Sequence, residues 1–180
     1  IINAGQFTNS NPTLSSYSGY DLVIKGQFTT TSDMTINGLN SIVIDSGDGI
    51  DLDGTFNNLT SITINGGNDI KLSGNFVNLA NLTITGGTGI SFETGATFPL
   101  LVSLVTSGAG IVLNDPLPNL TAITMTGGSL EIASSVALNN ALLVIDLTNV
   151  VFTLDGTHTL KNVILKTASQ MKTLESDITT

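Results

Sequence analysis

The chain contains no cysteine, no arginine and no tryptophan, and each absence removes a class of chemistry. Without cysteine there are no disulfides, no thiolate metal sites and no thiol nucleophiles. Without arginine, and with five lysines against 14 acidic residues and a net charge of −9, the sequence is poorly suited to displacing counterions from nucleic-acid phosphates. The same balance disfavours docking on anionic membranes. Three of the lysines, Lys161, Lys166 and Lys172, sit near the C-terminus, so the body of the chain is more acidic still. No apolar run approaches the length needed to span a bilayer. Ile1-Ile2-Asn3-Ala4 has no initiator Met and no basic segment, so a processed chain or a fragment is expected, with any signal peptide already removed.

What is present is a repeat. Phe56, Leu59, Ile62 and Ile64 share a spacing with Phe76, Leu79, Leu82 and Ile84. The same template fits Ile36, Leu39, Ile42 and Ile44 upstream. Downstream it fits Leu117, Leu120, Ile123 and Met125, and also Phe98, Leu101, Leu104 and Thr106, where the final member is polar. First members at 36, 56, 76, 98 and 117 give steps of 20, 20, 22 and 19. Leu22 and Ile24 look like an early partial copy, and Leu160, Val163 and Leu165 like a late one.

Each copy has a second apolar pair after a glycine turn: Ile50/Leu52, Ile70/Leu72, Ile90/Phe92, Ile111/Leu113 and Leu130/Ile132. Both pairs alternate with polar residues, the period of a half-buried strand. The intervening glycines, such as Gly66/Gly67 and Gly86/Gly87, suit tight corners. A β-sandwich of hairpins is the competing architecture, but hairpins require neither a constant step nor a recurring Phe-x-x-Leu corner. Stacked coils require both, because equivalent positions must lie on one another. The expected fold is all-β: a right-handed parallel β-solenoid, either a β-helix or a β-rich relative of the leucine-rich repeats, with coils of about 20 residues. One domain is expected over 1–180, with an irregular N-terminal cap over 1–20, stacked coils over 21–166, and a C-terminal cap or connector over 167–180. Ala168, Met171 and Leu174, at three-residue steps, suggest a short helix in that tail.

The densest acidic cluster runs from Asp45 to Gly54. Asp45, Asp48, Asp51 and Asp53 are candidate oxygen ligands for Ca²⁺, although the acids do not recur in later coils. A solvated Gly-Asp corner is the plainer reading. Asp51 and Asp53 flank inward Leu52 and should share one outer face. No other cofactor is indicated.

Asn58, Asn78 and Asn119 each precede a corner leucine, as expected of a ladder satisfying turn backbone. Asn58, Asn81 and Asn119 also begin Asn-Leu-Thr acceptor sequences for glycosylation. Outward threonines recur at Thr63, Thr83 and Thr124 and at Thr85, Thr106 and Thr126, in the manner of an ice-binding array, but Val43, Asp45 and Asn65 break the pattern. Ordinary strand preference explains them. His158 is the only histidine and reads as a turn residue. Glu93, Glu131 and the aspartates are the available carboxylates for sugar hydrolysis, and nothing marks two of them as partners. A non-catalytic chain is expected.

The Phe-x-x-Leu-x-x-Ile-x-Ile spacing over roughly 36–126 resembles the bacterial leucine-rich repeats of BspA-like surface proteins. Here the step is shorter, the small-residue and cysteine positions of the convex side are missing, and Ile70-Lys71-Leu72 reads as strand. The resemblance implies a surface adhesin. Composition agrees with an exported, microbial cell-surface protein. The expected role is an extracellular module that adheres to a protein or glycan through one solenoid face. The alternative is a structural subunit whose partner is another copy, in a filament, surface layer or viral fibre; a carbohydrate-active enzyme is a more distant third. Neither nucleic acid nor membrane insertion is expected.

Overall fold

The computed structural model describes residues 7–8, 13–14, 20–115, 117–134, 136, 142–156, 158 and 162–174. They form a β-solenoid in which every strand pairing is parallel, and no helix occurs among them. One sheet, the lateral sheet, has eight strands running from Tyr20–Ile24 at one end to Asn162–Lys166 at the other. A second, nine-stranded sheet runs from Phe7–Thr8 to Gln170–Leu174. A third sheet has four two-residue strands, Thr13–Leu14, Thr35–Ile36, Thr55–Phe56 and Asn75–Phe76.

The coil step is fixed by side-chain columns. In the lateral sheet Ile42 pairs with Ile62 and Ile62 with Leu82, while Ile44, Ile64 and Ile84 form the parallel column. In the second sheet Ile50, Ile70, Ile90, Ile111 and Leu130 stack in the same way. Nearly all of these side chains are fully buried, each contributing about 1.5–3 kcal/mol. A single coil exposes both sides of its column, so each requires its neighbours.

The Phe corner has its own column. Phe56 and Phe76 stack with centroids 4.9 Å apart and planes 6° apart, and Phe76 and Phe98 repeat the 4.9 Å spacing at 12°. That separation is close to the ~4.8 Å strand spacing of any β-sheet, so the rings ride on the coils without straining either.

Glycine is required where one coil's turn lies on the next. Gly67 has φ 109°, and a Cβ there would sit 3.1 Å from the Gly47 carbonyl oxygen. That oxygen accepts the Asn68 amide at 2.8 Å. The turn backbone is thus hydrogen-bonded from coil to coil, and a side chain would intrude between the layers.

The structure departs from the sequence expectations in four places. The third sheet, with its two-residue strands, was not foreseen. A further coil lies between the template copies: Val144–Thr148 and Val151–Asp155 carry buried Ile145, Leu147, Phe152 and Leu154. The tail expected to hold a short helix instead contains the strand Gln170–Leu174, paired with Val151–Asp155. A parallel edge already in place overrides weak helical spacing, since tertiary context outweighs propensity. At the other end, the stretch expected to be an irregular cap contributes strands at Phe7–Thr8 and Thr13–Leu14. The rest of 1–19, Leu160 and 175–180 lie outside the described residues.

Among the described residues, two threonines are buried in the core. Thr30 is satisfied: its hydroxyl donates to the Asp53 carbonyl at 2.7 Å and accepts from the Asp53 amide at 2.8 Å. Thr106, 3% exposed, occupies the column of Ile84 and Met125, and its Oγ1 finds no partner among the described residues. It is therefore an inward residue and no part of an exposed threonine array. Thr106→Val keeps the shape and removes a stranded hydroxyl, so unfolding free energy should rise by about 1 kcal/mol. Denaturant titration would read this as a higher midpoint at unchanged slope.

Candidate functional site

The Asp45–Gly54 segment turns a corner, and the corner separates its acids. Asp45 lies just beyond the end of the strand Leu39–Ile44, whereas Asp48 and Asp51 lie in the second-sheet strand Asp48–Leu52. Asp45 is engaged in a ladder, with Lys25 Nζ at 3.5 Å and the Asn65 amide donating at 2.9 Å. The Thr85 hydroxyl extends it by donating to Asn65 at 3.1 Å. The Asn65 hydrogen bond, assisted by Lys25, holds the Asp45 carboxyl below its ordinary pKa.

Asp51 and Asp53 face outward on either side of buried Leu52, as their spacing predicts. Ser73 Oγ donates to Asp51 at 2.8 Å, and Asp53 accepts from the Gly54 amide at 2.7 Å. Partial burial, together with the charges of Asp53 and Glu93, pushes the Asp51 pKa up; Ser73 and Lys71 oppose this. Asp48 is exposed. Among the described residues, no group of three or more acidic or histidine side chains is gathered so that it could hold a metal ion. The four aspartates are thus split between two faces.

The signs of the two shifts are opposite. A raised folded-state pKa makes ionised Asp51 unfavourable at neutral pH, a cost relieved as pH falls through that pKa. Lowered Asp45 contributes above its unfolded pKa and loses that contribution as pH falls through its folded value. Asp51→Asn keeps the oxygen that accepts from Ser73 and deletes the charge. It should stabilise the protein at pH 7 by roughly 0.5 kcal/mol or less, the small size reflecting solvent screening. The gain should vanish in mild acid, as melting curves at two pH values would show.

The asparagine pattern divides. Asn119 Nδ2 donates to the Pro99 carbonyl at 2.7 Å, and Asn78 donates to the Asn57 carbonyl. Both satisfy turn backbone one coil away, as expected of a ladder. Asn58 and Asn81 are exposed. A second ladder, unforeseen in the sequence, links the Asn57 amide to Asn37 at 2.6 Å. His158 Nε2 lies 2.7 Å from the Asp155 carbonyl, which fixes the ring in its own turn. Glu93 accepts from Ser91, and Glu131 stands on the second sheet between Val112 and Thr153. A surface hollow of about 350 Å³ lies between Gly95–Pro99 and Asp115–Asn119. Three of its polar groups are already bonded: Asp115 to the Gly95 amide, Thr97 to Asn75, and Asn119 to Pro99.

The most distinctive surface is the outer face of the lateral sheet. Over four consecutive coils its outward residues are Ser61, Thr63 and Asn65; Asn81, Thr83 and Thr85; Ser103, Val105 and Ser107; and Ala122, Thr124 and Thr126. None carries a charge. The pairs Lys25–Asp45 and Lys166–Asp146 bound this stretch along the stack. Exposed Leu100, Val102 and Val105 add an apolar margin. The second sheet, by contrast, carries Asp48, Asp51, Asp69, Lys71 and Glu131 in its strands, with Asp53 and Glu93 just beyond strand ends. In a chain of net charge −9, this four-coil stretch of the lateral face is free of charge and built mainly from hydroxyls and amides at the coil repeat.

Comparison of the chain with protein-family models, with curated proteins and with solved structures gave no match. The class that the structure defines is therefore the β-solenoid repeat fold itself.

Proposed function

We propose that this protein is a non-catalytic adhesion module of an extracellular, microbial surface, and that it binds through the uncharged outer face of its lateral sheet. The observation that carries this reading is that the outward positions of the lateral sheet are uncharged over the four coils from Ser61 to Thr126. Ion pairs and carboxylates hold their water tightly, whereas an array of hydroxyls and amides with one valine and one alanine costs less to desolvate when its polar groups find new hydrogen-bond partners. Its repeat along the stack suits a partner that is itself repetitive and neutral, such as a glycan or a hydroxyl-rich protein surface. Solenoids commonly bind through such extended faces. The cysteine-free, arginine-free composition and the BspA-like apolar spacing point in the same direction.

Adsorption to insoluble neutral polysaccharides and to an immobilised glycoprotein tests the reading. Placing lysines at exposed Thr83 and Thr124 should weaken adsorption at least ~10-fold, a loss of about 1.4 kcal/mol, with melting temperature little changed. A lysine at Ser91, on the second sheet, should leave adsorption intact. Equal adsorption by both variants would remove the lateral face from consideration. Failure of the wild-type chain to adsorb to any of these surfaces would overturn the adhesion reading.

A further inference from the structure

The step from Phe76 to Phe98 is 22 residues, against 20 before it and 19 after it, and the surplus is confined to one corner. Phe76 follows Leu72 by four positions and Leu117 follows Leu113 by four, but Phe98 follows Phe92 by six. The stack does not yield to the longer corner. Phe92 pairs with Leu72 on one side and Leu113 on the other, and the Phe98 ring still lies 4.9 Å from that of Phe76. The additional residues are displaced outward instead. The hollow of about 350 Å³ lies at this corner, between Gly95–Pro99 and Asp115–Asn119.

Its lining is apolar and stiff. Ala96 and Phe98 are buried, and Pro99 and Pro118 stand exposed beside them. Both prolines hold the second position of a hydrogen-bonded β-turn: the Leu101 amide donates to Phe98 at 3.3 Å, and the Leu120 amide to Leu117 at 3.0 Å. Their fixed φ suits that position. The equivalent residues of the two preceding coils are Asn57 and Val77. The hollow is therefore walled where the backbone has least freedom to lose, which lowers the cost of ordering on binding. At Gly95, with φ 90°, an added Cβ would meet nothing within 4 Å, so the space is open there.

The polar groups of the lining have spent donors and kept acceptors. Asp115 accepts the Gly95 amide with Oδ2, and its Oδ1 has no partner among the described residues. Asn119 Nδ2 donates to the Pro99 carbonyl at 2.7 Å, and its Oδ1 is likewise without a partner among the described residues. The Thr97 hydroxyl donates to Asn75, so it can only accept from elsewhere. A ligand must then bring donors. An anion is repelled by Asp115, and a purely apolar ligand would desolvate that carboxylate without replacing its hydrogen bonds. A molecule with a C–H face and a rim of hydroxyls meets both demands, and the volume is at the lower end for small-molecule sites.

We propose that this hollow is a saccharide subsite, taking one neutral sugar unit with its C–H face on Pro99 and Pro118 and its hydroxyls donating to Asp115 and Asn119. The subsite uses none of the outward residues of the lateral sheet. It binds a sugar end or branch singly, where the lateral face meets an extended surface.

Titration of the ¹⁵N-labelled chain with glucose, galactose, mannose and N-acetylglucosamine, followed by amide chemical shifts, provides the test. At least one sugar should saturate shifts at Gly95, Thr97, Asp115 and Asn119, with a dissociation constant on the order of 1 mM. Asp115→Asn keeps an oxygen for the Gly95 amide and removes the carboxylate, so it should weaken binding at least ~10-fold with melting temperature little changed. Pro118→Ser, at an exposed turn position, removes one apolar wall and should weaken binding several-fold; it serves if the first variant fails to fold. Absence of saturable shifts at these residues with all four sugars would overturn the proposal. So would shifts confined to the lateral sheet, wild-type affinity in a folded variant, or tighter binding of n-butylamine than of any sugar. Because these probes are soluble sugars, a negative result leaves adsorption through the lateral face standing, and failure of adsorption leaves this subsite standing.

Discussion

Ile64→Asp is expected to unfold the middle of the stack, with a loss above about 4 kcal/mol. Ile64 is fully buried, with Ile44 on one side of it and Ile84 on the other. A carboxylate there displaces two layers of apolar contact and reaches no donor, so it must be buried charged at prohibitive cost or be protonated and still unpaired. Neighbouring coils cannot compensate by closing up, because their strands are already at hydrogen-bonding distance. The measurement is chemical denaturation followed by far-ultraviolet circular dichroism. A wild-type midpoint would contradict the inward assignment of the lateral sheet's column.

Gly128→Ala is expected to be almost as damaging, although it adds one methyl group. Gly128 has φ 84°, and a Cβ at that position would lie 1.9 Å from the Ala109 carbonyl oxygen and 2.7 Å from its carbon. These are backbone atoms of the neighbouring coil, and the Ala109 oxygen also accepts the Ser129 amide at 3.0 Å. Relief requires the coils to part and that bond to break. Left-handed backbone strain of roughly 1–2 kcal/mol adds to the cost, so a total near 3 kcal/mol or more is expected. Gly95→Ala is the control: its φ is 90°, but a Cβ there meets nothing within 4 Å. Only the strain should be felt, giving a loss of about 1–2 kcal/mol. If the two variants melt together, the close approach at Gly128 is not a constraint on the fold.

The inward columns were legible in the sequence because two periods coincide there. Alternation of two places Ile62 and Ile64 on one side, and the step near 20 places Leu82 and Ile84 on them. Where either period lapses, so does the reading. Thr55–Phe56 and its equivalents are two residues long, too short for alternation to show a strand. The coil holding Ile145 and Phe152 escaped the template because no recognisable Phe-x-x-Leu corner precedes it. Met171 was placed on a helical spacing because Ala168 and Leu174 flank it at three residues, a pattern that a strand paired to Val151–Asp155 does not obey.

The candidate sites were less legible, for a different reason. Composition along a segment does not say which way its residues face once the chain has turned. Asp45 and Asp51 are six residues apart, and the corner at Gly47 and Gly49, both with positive φ, sends them to different sheets. Thr63 and Thr83 were recognised as outward, but the hydroxyls drew attention away from the wider property they belong to. The signal for the uncharged face was an absence: between Asp45 and Asp146 no outward position of the lateral sheet carries a charge. It becomes visible only when residues about 20 apart are placed side by side.

The stacked phenylalanines Phe56, Phe76 and Phe98 have a consequence for how such a chain changes length. Because each ring meets an equivalent ring, loss of one whole coil between Phe56 and Phe76 would bring Ile44 onto Ile84 and Ile50 onto Ile90, pairs chemically identical to those they replace. Insertion of a coil would be equally neutral. Length is therefore a free variable in this architecture, adjustable in increments of about 4.8 Å, while a shift by any fraction of a coil would put every column out of alignment at once.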